Sequence, residues 1–505
     1  MAAAVQNTYP LDRYIAALSE AGVLASRPDG CGDLEVSFAT DDSREARPGT
    51  LFACKGAAFK REYLLSALEA GAVAYLSETD YGVEAPCLLV SDIRRALGVA
   101  ADLAYGHPSG RVKVCAFTGT KGKTTSAYYL KSVLDEHARR AGRHAAGLFS
   151  SIEFDDGVDA GISKLTTPEA FQLERQLANA AASGIEHVVM EASSQALKYD
   201  RTACVEFAVG AFTNIGEDHI SPIEHPSFED YFSSKLKLFA QSRIAVVNLD
   251  MDHVERVLEA AAPCERVITY SMVDPSADVF ADGLVHTERG IVARVRTPRF
   301  TDEMLIATPV KFNVSNALGA VACAEALGIE REAVVHGFER LRVPGRMELY
   351  PSASGLIIGV VDFAHNGMSL ENALSSVRAE YPDRELTVLF ACTGGKGIDR
   401  REGMGSAAGQ WADRIILTED DPGPEEVEAI CADIGVFVSA HGKGYTVIPN
   451  REMAVEQAIL GSKRPAVVLL AGKGCETAQK RKNGPEPCIP DGQLAQRVLD
   501  KYDAG

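Results

Sequence analysis

Short apolar, β-branched runs alternate with helix-length segments through the middle of the chain. The runs each end in Gly, Ser, Thr, Asn or Asp and lie at residues 113–119, 187–194, 207–214 and 243–250. Segments with a helical pattern of apolar positions, such as residues 125–138 and 169–183, separate them. This alternation predicts an α/β fold with a mostly parallel sheet covered by helices.

The same alternation returns near the C-terminus, where runs lie at residues 386–395, 414–421 and 466–474. Residues 275–308 instead show shorter strands with alternating polar positions, which we expect to form an antiparallel appendage. Turn-rich segments at residues 105–110 and 343–346 indicate boundaries. Three α/β domains are therefore predicted, covering residues 1–109, 110–343 and 344–505.

Composition and charge narrow the class of protein. A chain of 505 residues with 46% hydrophobic and 24% charged residues is typical of a globular protein with several domains. No apolar run reaches the length of a membrane span, and the formal charge of −19 argues against a nucleic-acid partner. The eleven cysteines form no C-x-x-C pair, and the start of the chain lacks a signal-peptide pattern. We therefore expect a cytoplasmic protein without membrane insertion.

The segment VCAFTGTKGKTTS, residues 114–126, predicts a strand that runs into a phosphate-binding loop. Glycines at 119 and 122 allow backbone N–H groups to turn toward phosphate oxygens. Lys123 offers a charge for the β- and γ-phosphates, and the hydroxyl of Thr124 suits Mg²⁺. Phe117 occupies the position of the first glycine in the usual P-loop spacing. A ligand-free glycine turn is the alternative, but Gly-Lys-Thr-Thr between strand and helix favours a nucleotide, with ATP as the default.

This loop without the first glycine resembles the ATP-binding loop of the Mur ligases, the amide-forming enzymes of peptidoglycan assembly. Other motifs of that family follow in order over almost the whole chain. They are DSR at residues 42–44 with PGTLF at 48–52, TTP at 166–168, MEASS at 190–194, TNIGEDH at 213–219, NVSN at 313–316, PGRME at 344–348, DFAH at 362–365 and GKGCET at 472–477. Each motif alone is weak, whereas the set in this order is highly specific.

The resemblance implies an ATP-dependent ligase of peptidoglycan precursor synthesis, acting as a monomer. ATP would phosphorylate a carboxylate of UDP-N-acetylmuramoyl-L-Ala-D-Glu to an acyl phosphate, which an incoming amine then attacks. It also implies a smaller N-terminal domain that binds UDP, a central ATP-binding domain and a Rossmann-like C-terminal domain that binds the amino acid. The protein's task in such chemistry is mostly positioning and charge neutralisation.

Metal and catalytic roles are likewise implied by the resemblance. Glu191 and His219 follow two neighbouring predicted strands and would hold Mg²⁺ together with Thr124 and Lys235. Lys235 matches a position at which Mur ligases carry a carbamylated lysine, a modification that converts a cation into an anionic oxygen donor. The commoner role of such a lysine is a solvated position on a helix. Lys123, His219 and Lys235 are the predicted catalytic residues.

The remaining motifs imply ligand contacts. The predicted ATP contacts are Gly119, Thr120, Lys121, Gly122, Lys123, Thr124 and Thr125, with Asn316 at the adenine, Arg346 at the phosphates and Asp362 at the ribose. Ser43 would bind the uracil-ribose end of the UDP substrate. The muramoyl-dipeptide part would contact Thr166, Thr167, Ser193 and Arg201. Asn316 could equally cap a helix, and Arg346 could form a surface ion pair.

The added amino acid is predicted to be L-lysine. Family members that add meso-diaminopimelate carry two arginines for its extra carboxylate, and here Lys396 and Gly423 stand at those positions. The acidic pair Asp420-Asp421 favours a substrate that ends in an ammonium group, with Gly472 and Glu476 completing the pocket. A plain turn is the structural alternative for the acidic pair. Ornithine or diaminopimelate as the amine, a folylpolyglutamate synthase and a regulatory P-loop NTPase remain open.

Overall fold

A computed structural model of the protein describes residues 4–56, 59–218, 220–221, 224–287, 289–308, 310–339, 341, 343–395 and 397–504. The chain divides into two compact units. The first unit comprises Met1–Gly283, Arg294–Met304 and Ser315–Glu339, and the second comprises Leu284–Ala293, Leu305–Val314 and Arg340–Gly505.

The strands follow one another along the chain as short elements. In chain order they are β1 (Tyr9–Pro10), β2 (Leu24–Ser26), β3 (Glu35–Val36), β4 (Phe38–Thr40), β5 (Thr50–Ala53), β6 (Ala72–Ser77), β7 (Cys87–Val90), β8 (Lys113–Thr118), β9 (Gly147–Phe149), β10 (Glu153–Asp155), β11 (Ala160–Ile162), β12 (His187–Glu191), β13 (Phe207–Phe212), β14 (Ser242–Asn248), β15 (Arg266–Ser271), β16 (Val279–Thr287), β17 (Gly290–Arg296), β18 (Thr301–Ile306), β19 (Glu348–Pro351), β20 (Ile357–Asp362), β21 (Glu385–Phe390), β22 (Arg414–Leu417), β23 (Thr446–Val447), β24 (Ala466–Ala471), β25 (Ala478–Arg481) and β26 (Gly484–Pro487).

Helices separate most of these strands. They are α1 (Leu11–Glu20), α2 (Arg61–Glu69), α3 (Ile93–Tyr105), α4 (Lys123–Ala141), α5 (Ala170–Ser183), α6 (Ser194–Lys198), α7 (Phe228–Leu236), α8 (Val254–Ala261), α9 (Lys311–Leu327), α10 (Arg331–Gly337), α11 (Gly367–Glu380), α12 (Asp399–Trp411), α13 (Val427–Ala440), α14 (Arg451–Leu460) and α15 (Asp491–Asp503), with 3₁₀ turns at Pro108–Arg111 and Lys237–Gln241. Among the described residues, no helix is both long enough and apolar enough to cross a membrane.

The first unit contains two large sheets. A five-stranded sheet has the order β2-β7-β6-β5-β4, and its strands β4 to β7 run parallel to their neighbours. Helix α3 packs on this sheet through buried residues such as Ala96, Leu97 and Ala100. The helix starts where the carboxylate of Asp92 accepts hydrogen bonds from the backbone N–H groups of Arg94 and Arg95, at 2.9 and 3.1 Å. Both sheets lie within one unit, so the boundary near residue 109 stays a prediction.

The other large sheet, most of which lies in the first unit, is the predicted mostly parallel sheet. It has eleven strands in the order β11-β10-β9-β12-β8-β13-β14-β15-β16-β17-β18. Strand β8 is central and apolar on both faces, as parallel strands covered by helices usually are. Strands β12 and β13 flank β8 and are therefore not adjacent to each other, contrary to our expectation. The expected appendage instead extends this sheet at its edge, where β15 and β16 are parallel.

The second unit is built on a six-stranded sheet in the order β19-β20-β24-β21-β22-β23, parallel except for β19. One apolar cluster includes Leu370, Val388 and Leu469, and another includes Leu389, Leu470 and Leu494. The sheet is therefore buried on both faces, which confirms the predicted α/β class. All eleven cysteines of the chain are free.

Candidate active site

The phosphate loop connects β8 to α4 and requires both of its glycines. Gly119 and Gly122 have φ angles of 145° and 84°, a region that favours glycine. A Cβ atom on Gly119 would lie 2.1 Å from Oγ1 of Thr213, and one on Gly122 would lie 2.2 Å from Oδ1 of Asn316. Phe117 is fully buried inside β8, so the strand continues where the usual loop has its first glycine. Asn316 thus lies beside Gly122 of the loop, and its contact with adenine stays a prediction.

Two lysines meet on one backbone carbonyl of this loop. The ammonium of Lys123 donates to the carbonyl of Gly119 at 2.9 Å and to that of Thr120 at 3.2 Å. Nζ of Lys235, on α7, donates to the same Gly119 oxygen at 2.8 Å, although this side chain is only 1% exposed. Burial, followed by the charge of Lys123, lowers the pKa of Lys235 well below its usual value. Lys235 is therefore a buried amine at the phosphate loop and not a solvated lysine.

Other loop residues are held by the backbone and side chains of the following segments. The hydroxyl of Thr120 accepts hydrogen bonds from the N–H of Gly216 at 3.0 Å and from the Tyr231 hydroxyl at 3.2 Å. The ammonium of Lys121 pairs with Asp218 at 3.0 Å. Thr125 is buried in the first turn of α4. These contacts anchor the loop next to the N-terminus of α4, where anions bind favourably.

Glu191 and Thr124 lie together as the predicted magnesium ligands would. Oε1 of Glu191 accepts hydrogen bonds from the hydroxyl of Thr124 at 2.9 Å and from the N–H of Ser151 at 2.7 Å. Both side chains are buried and offer the hard oxygen atoms that Mg²⁺ prefers, so the residues fit this ion. His219, the third predicted ligand, lies outside the described residues.

A cavity of about 150 Å³ in the first unit adjoins the predicted muramoyl-dipeptide contacts. Its lining residues are Asp41, Lys55, Arg94, Leu97, Glu169, Ala170, Phe171, Tyr199 and Arg201. Nη1 of Arg201 donates to the carbonyl of Thr167 at 3.3 Å. The hydroxyl of Thr167 donates to the Glu191 carbonyl at 2.9 Å and accepts from the N–H of Ser193 at 3.0 Å. This chain of contacts places Thr167, Ser193 and Arg201 close to Glu191.

Two other predicted contacts lie near this group. Thr166 is partly exposed directly before Thr167, and Ser43 lies in the turn after β4. The carboxylate of Asp42 holds that turn by accepting from the N–H of Arg44 at 3.0 Å. Lys55 and Glu169, in contrast, were not predicted. The position of Lys55, two residues after the end of the parallel strand β5, was the signal that could have indicated it.

In the second unit, an acidic cluster surrounds a lysine that sequence reasoning missed. Nζ of the buried Lys473 lies 2.7 Å from Asp421, 2.8 Å from Glu476 and 3.7 Å from Asp420. Lys480 adds a second ion pair to Asp421 at 3.0 Å. Burial raises the pKa of Asp420 to about 6. Although burial opposes the effect, hydrogen bonds to Asp421 and Glu476 raise the pKa of Lys473. Asp421 is thus strongly paired, and Asp420 is the carboxylate farthest from the internal ammonium.

Glycines line the same cluster. Gly472 has a φ of 102°, and a Cβ atom there would lie 3.2 Å from Oδ2 of Asp420. Gly423 has a φ of 59°, and its N–H donates to the carbonyl of Lys480 at 3.0 Å. Lys396 lies outside the described residues. Backbone therefore lies beside Asp420 at Gly472 and beside Lys480, the partner of Asp421, at Gly423.

The predicted ribose and phosphate contacts lie together near the start of the second unit. Asp362 ends β20, and its Oδ2 accepts a hydrogen bond from the N–H of Met347 at 2.9 Å. The guanidinium of Arg346 lies 4.9 Å from the ring centroid of Phe363. Asp362 thus fixes the loop that presents Arg346.

Comparisons with known proteins agree with this geometry. The Mur ligase middle domain matches residues 117–324, and the Mur ligase, glutamate ligase domain matches residues 345–474. The UDP-N-acetylmuramoyl-L-alanyl-D-glutamate--L-lysine ligase of Enterococcus faecalis is 36% identical over 480 residues, which are 94% of this chain and 93% of that protein. The protein of the same name from Streptococcus sanguinis is 39% identical over 443 residues, covering 87% of this chain and 88% of its own length.

A solved structure shows the same fold. The structure of a UDP-N-acetylmuramoyl-L-alanyl-D-glutamate--2,6-diaminopimelate ligase superposes with a TM-score of 0.68 at 24% identity, covering 94% of this chain and 97% of that chain. With two family domains matched and relatives above 30% identity over most of its length, the chain belongs to the Mur ligase family.

Proposed function

We propose that this protein is an ATP-dependent amide ligase that adds L-lysine to the D-glutamate of UDP-N-acetylmuramoyl-L-Ala-D-Glu during peptidoglycan precursor synthesis. The observation that supports it best is the convergence of Lys123 and the buried Lys235 on the Gly119 carbonyl. A P-loop that only binds or hydrolyses nucleotide has no need for a second, buried lysine at this point. The names of the Enterococcus and Streptococcus relatives support the choice of substrates.

The chain's residues would mainly neutralise charge and position the reactants. Lys123 and the N–H groups at the start of α4 would bind the phosphates of ATP. The substrate carboxylate would attack the γ-phosphorus, so that ADP leaves and an acyl phosphate forms. The neutral amine would then add to the acyl carbon, and the tetrahedral intermediate would release inorganic phosphate and a proton to leave the amide. Thr124, Glu191, His219 and a carbamylated Lys235 would hold Mg²⁺, which when bound supplies positive charge against the phosphates. Asn316, Arg346 and Asp362 would bind the adenine, the phosphates and the ribose.

Substrate positions follow from the other contacts. Ser43 would bind the uridine end, and Thr166, Thr167, Ser193 and Arg201 the dipeptide end. For the amino acid, we infer that Asp420 receives the side-chain ammonium, because Asp421 already pairs with Lys473 and Lys480. Glu476, Gly472 and Lys396 would complete this pocket.

The proposal is tested by the dependence of ADP release on both co-substrates. With ATP and Mg²⁺, the purified protein should release ADP only when UDP-N-acetylmuramoyl-L-Ala-D-Glu and L-lysine are both present. ADP release without either of them would instead favour a regulatory NTPase. Turnover with a folate and glutamate would favour a folylpolyglutamate synthase.

Replacing His219 with alanine should raise the Mg²⁺ concentration for half-maximal activity by about tenfold and also lower the rate, because a metal ligand is lost. Mg²⁺ titrations of initial rates would measure the shift. His441→Ala, at an exposed histidine, is the control and should leave the titration unchanged. An unchanged Mg²⁺ requirement in His219→Ala would reassign His219 to a structural role.

The raised pKa of Asp420 predicts a pH dependence for lysine binding. The carboxylate is ionised above about pH 6 and protonated below it. The KM for L-lysine should therefore rise about tenfold for each pH unit below that value, while Asp420→Asn should show a high KM without this step.

Whereas lysine binding should strengthen as the pH rises, the free energy of unfolding should fall. Because the folded-state pKa lies above the unfolded value, the contribution of Asp420 to stability is present at low pH and lost as the pH rises through about 6. Urea unfolding of wild type and Asp420→Asn at several pH values would measure this. A pH-independent KM in the wild type would contradict the assignment of Asp420.

A further inference from the structure

The cavity of the first unit combines three cationic side chains with two carboxylates. Lys55, Arg94 and Arg201 face it, and the carboxylates among its lining residues are Asp41 and Glu169. The guanidinium of Arg94 lies 3.7 Å from the ring centroid of Tyr199, and no carboxylate of the described residues lies within 4 Å of it in an ion pair. The lining therefore carries an excess of positive charge in a protein whose overall charge is −19. A local excess of positive charge on a negatively charged protein favours the binding of an anionic ligand.

Glu169 bridges two of these cations. Its Oε1 lies 2.8 Å from Arg201 and its Oε2 lies 2.5 Å from Lys55. Glu169 is also the N-cap residue of α5, yet its side chain makes no hydrogen bond that caps the helix. The carboxylate of Glu169 thus pairs with cations of the cavity and does not cap α5, although polar side chains at this position usually cap a helix.

The cavity lies between the residues proposed for the two ends of the UDP substrate. Asp41, which pairs with Lys55 at 3.1 Å, is two residues from Ser43 at the proposed uridine end. Arg201 contacts the carbonyl of Thr167 at the proposed dipeptide end. The substrate offers a diphosphate between these ends and carboxylates on its D-Glu. Either group is an anion that Lys55 and Arg201 could bind as they bind Glu169.

We propose that this cavity is an anion-binding subsite for the UDP substrate, in which Glu169 is a resident carboxylate that the substrate displaces from Lys55 and Arg201. The inference rests on the proposed function and adds Lys55 as a substrate-binding residue. Exchange is feasible because Glu169 and Lys55 are partly exposed, and ion pairs of this kind are individually weak. Before binding, Glu169 keeps both cations oriented toward the cavity. Because Glu169 already pairs with both cations in the free protein, the substrate must displace it, and the apparent affinity for substrate is reduced.

Glu169→Gln should bind the UDP substrate about tenfold more tightly than wild type, because a neutral amide competes less well for the two cations. Lys55→Met should bind it about tenfold more weakly, because it removes a cation that the substrate uses. Isothermal titration calorimetry without ATP would give both dissociation constants, and circular dichroism would verify folding.

Glu186→Gln is the matched control for the loss of a bridging carboxylate. Glu186 also pairs with two cations, Lys113 and Arg143, and its side chain is 32% exposed against 34% for Glu169. It directly precedes β12, at the opposite end of that strand from Glu191. The affinity of Glu186→Gln for the UDP substrate should equal that of wild type.

Titration with UDP alone distinguishes the two anionic groups. Tighter binding of UDP by Glu169→Gln identifies the diphosphate as the displacing group, and an effect confined to the full substrate identifies the carboxylates. Equal or weaker binding of both ligands by Glu169→Gln would overturn the inference while the proposed function stands. If wild type binds neither ligand, the proposed function and the inference both fail.

Discussion

Replacing Lys235 with alanine should lower kcat by about a hundredfold to a thousandfold while the protein still folds. Losses of this size are typical when one preorganised electrostatic group is removed from an active site. Lys235 is buried on α7 and donates to the Gly119 carbonyl, so its loss acts directly at the phosphate loop. No change in turnover would remove Lys235 from the mechanism.

The chemistry expected at Lys235 is carbamylation. A neutral amine adds CO₂ to form a carbamate and releases a proton, and burial favours the neutral form of this lysine. Its carbamate would place anionic oxygen donors at the phosphate loop, where Lys235 contacts the Gly119 carbonyl. Bicarbonate should not restore activity to Lys235→Ala, whereas a short-chain carboxylic acid that enters the vacated space should restore part of it.

Lys237→Ala is the matched control for Lys235→Ala. Lys237 lies two residues further along the chain, its side chain is 50% exposed, and Nζ lies 3.7 Å from Asp200. Its removal should leave kcat nearly unchanged. Lys235→Met, which retains most of the side-chain volume, separates the loss of the amine from the loss of packing. Thermal unfolding of the three variants would verify that each is folded.

Much of the fold could be predicted because buried parallel strands and amphipathic helices leave clear patterns. Strands β8, β12 and β13 begin at the predicted residues, and α5 ends at the predicted one. The strand order could not be predicted, since β8 lies between β12 and β13 and no local pattern encodes such a pairing. The short strands β16 to β18 were predicted, but local pattern did not show that they join the edge of the large sheet through β15.

In the candidate site, too, some residues could be predicted from the sequence and others could not. The loop glycines and Lys123 follow from a short motif, whereas the pairing of Lys55 with Glu169 joins residues 114 positions apart. The position of Lys473 among Asp420, Asp421 and Glu476 likewise depends on how two strand ends and a loop meet. Sequence alone showed three acids for an incoming ammonium. The structure shows that the internal Lys473 hydrogen-bonds to Asp421 and Glu476 and lies 3.7 Å from Asp420.

L-lysine should be used at least about a hundredfold better, in kcat/KM, than meso-diaminopimelate. By our proposal, lysine would bring its ammonium to Asp420, the buried carboxylate that lies 3.7 Å from Lys473. Diaminopimelate adds a carboxylate beside Asp420 and Glu476, where Gly423 offers no side chain to pair with it. An arginine at this position would also have to adopt the left-handed φ of 59° that Gly423 has. A buried charge without a partner costs about 3–5 kcal/mol, enough for this discrimination.

Phosphate release with each amine, measured side by side on one enzyme preparation, tests this selectivity. Ornithine is one methylene shorter than lysine, a difference worth about 1–3 kcal/mol, so it should be the better of the two alternative substrates. Asp420→Asn should lower kcat/KM for lysine far more than for diaminopimelate, because only lysine loses a partner for its ammonium. Lys396→Ala tests whether that lysine assists the diaminopimelate carboxylate, and residual diaminopimelate turnover should fall in it. A clear preference of the wild type for diaminopimelate would contradict the assignment of Asp420 and Gly423, because the acidic pocket would then accept the carboxylate that it should repel.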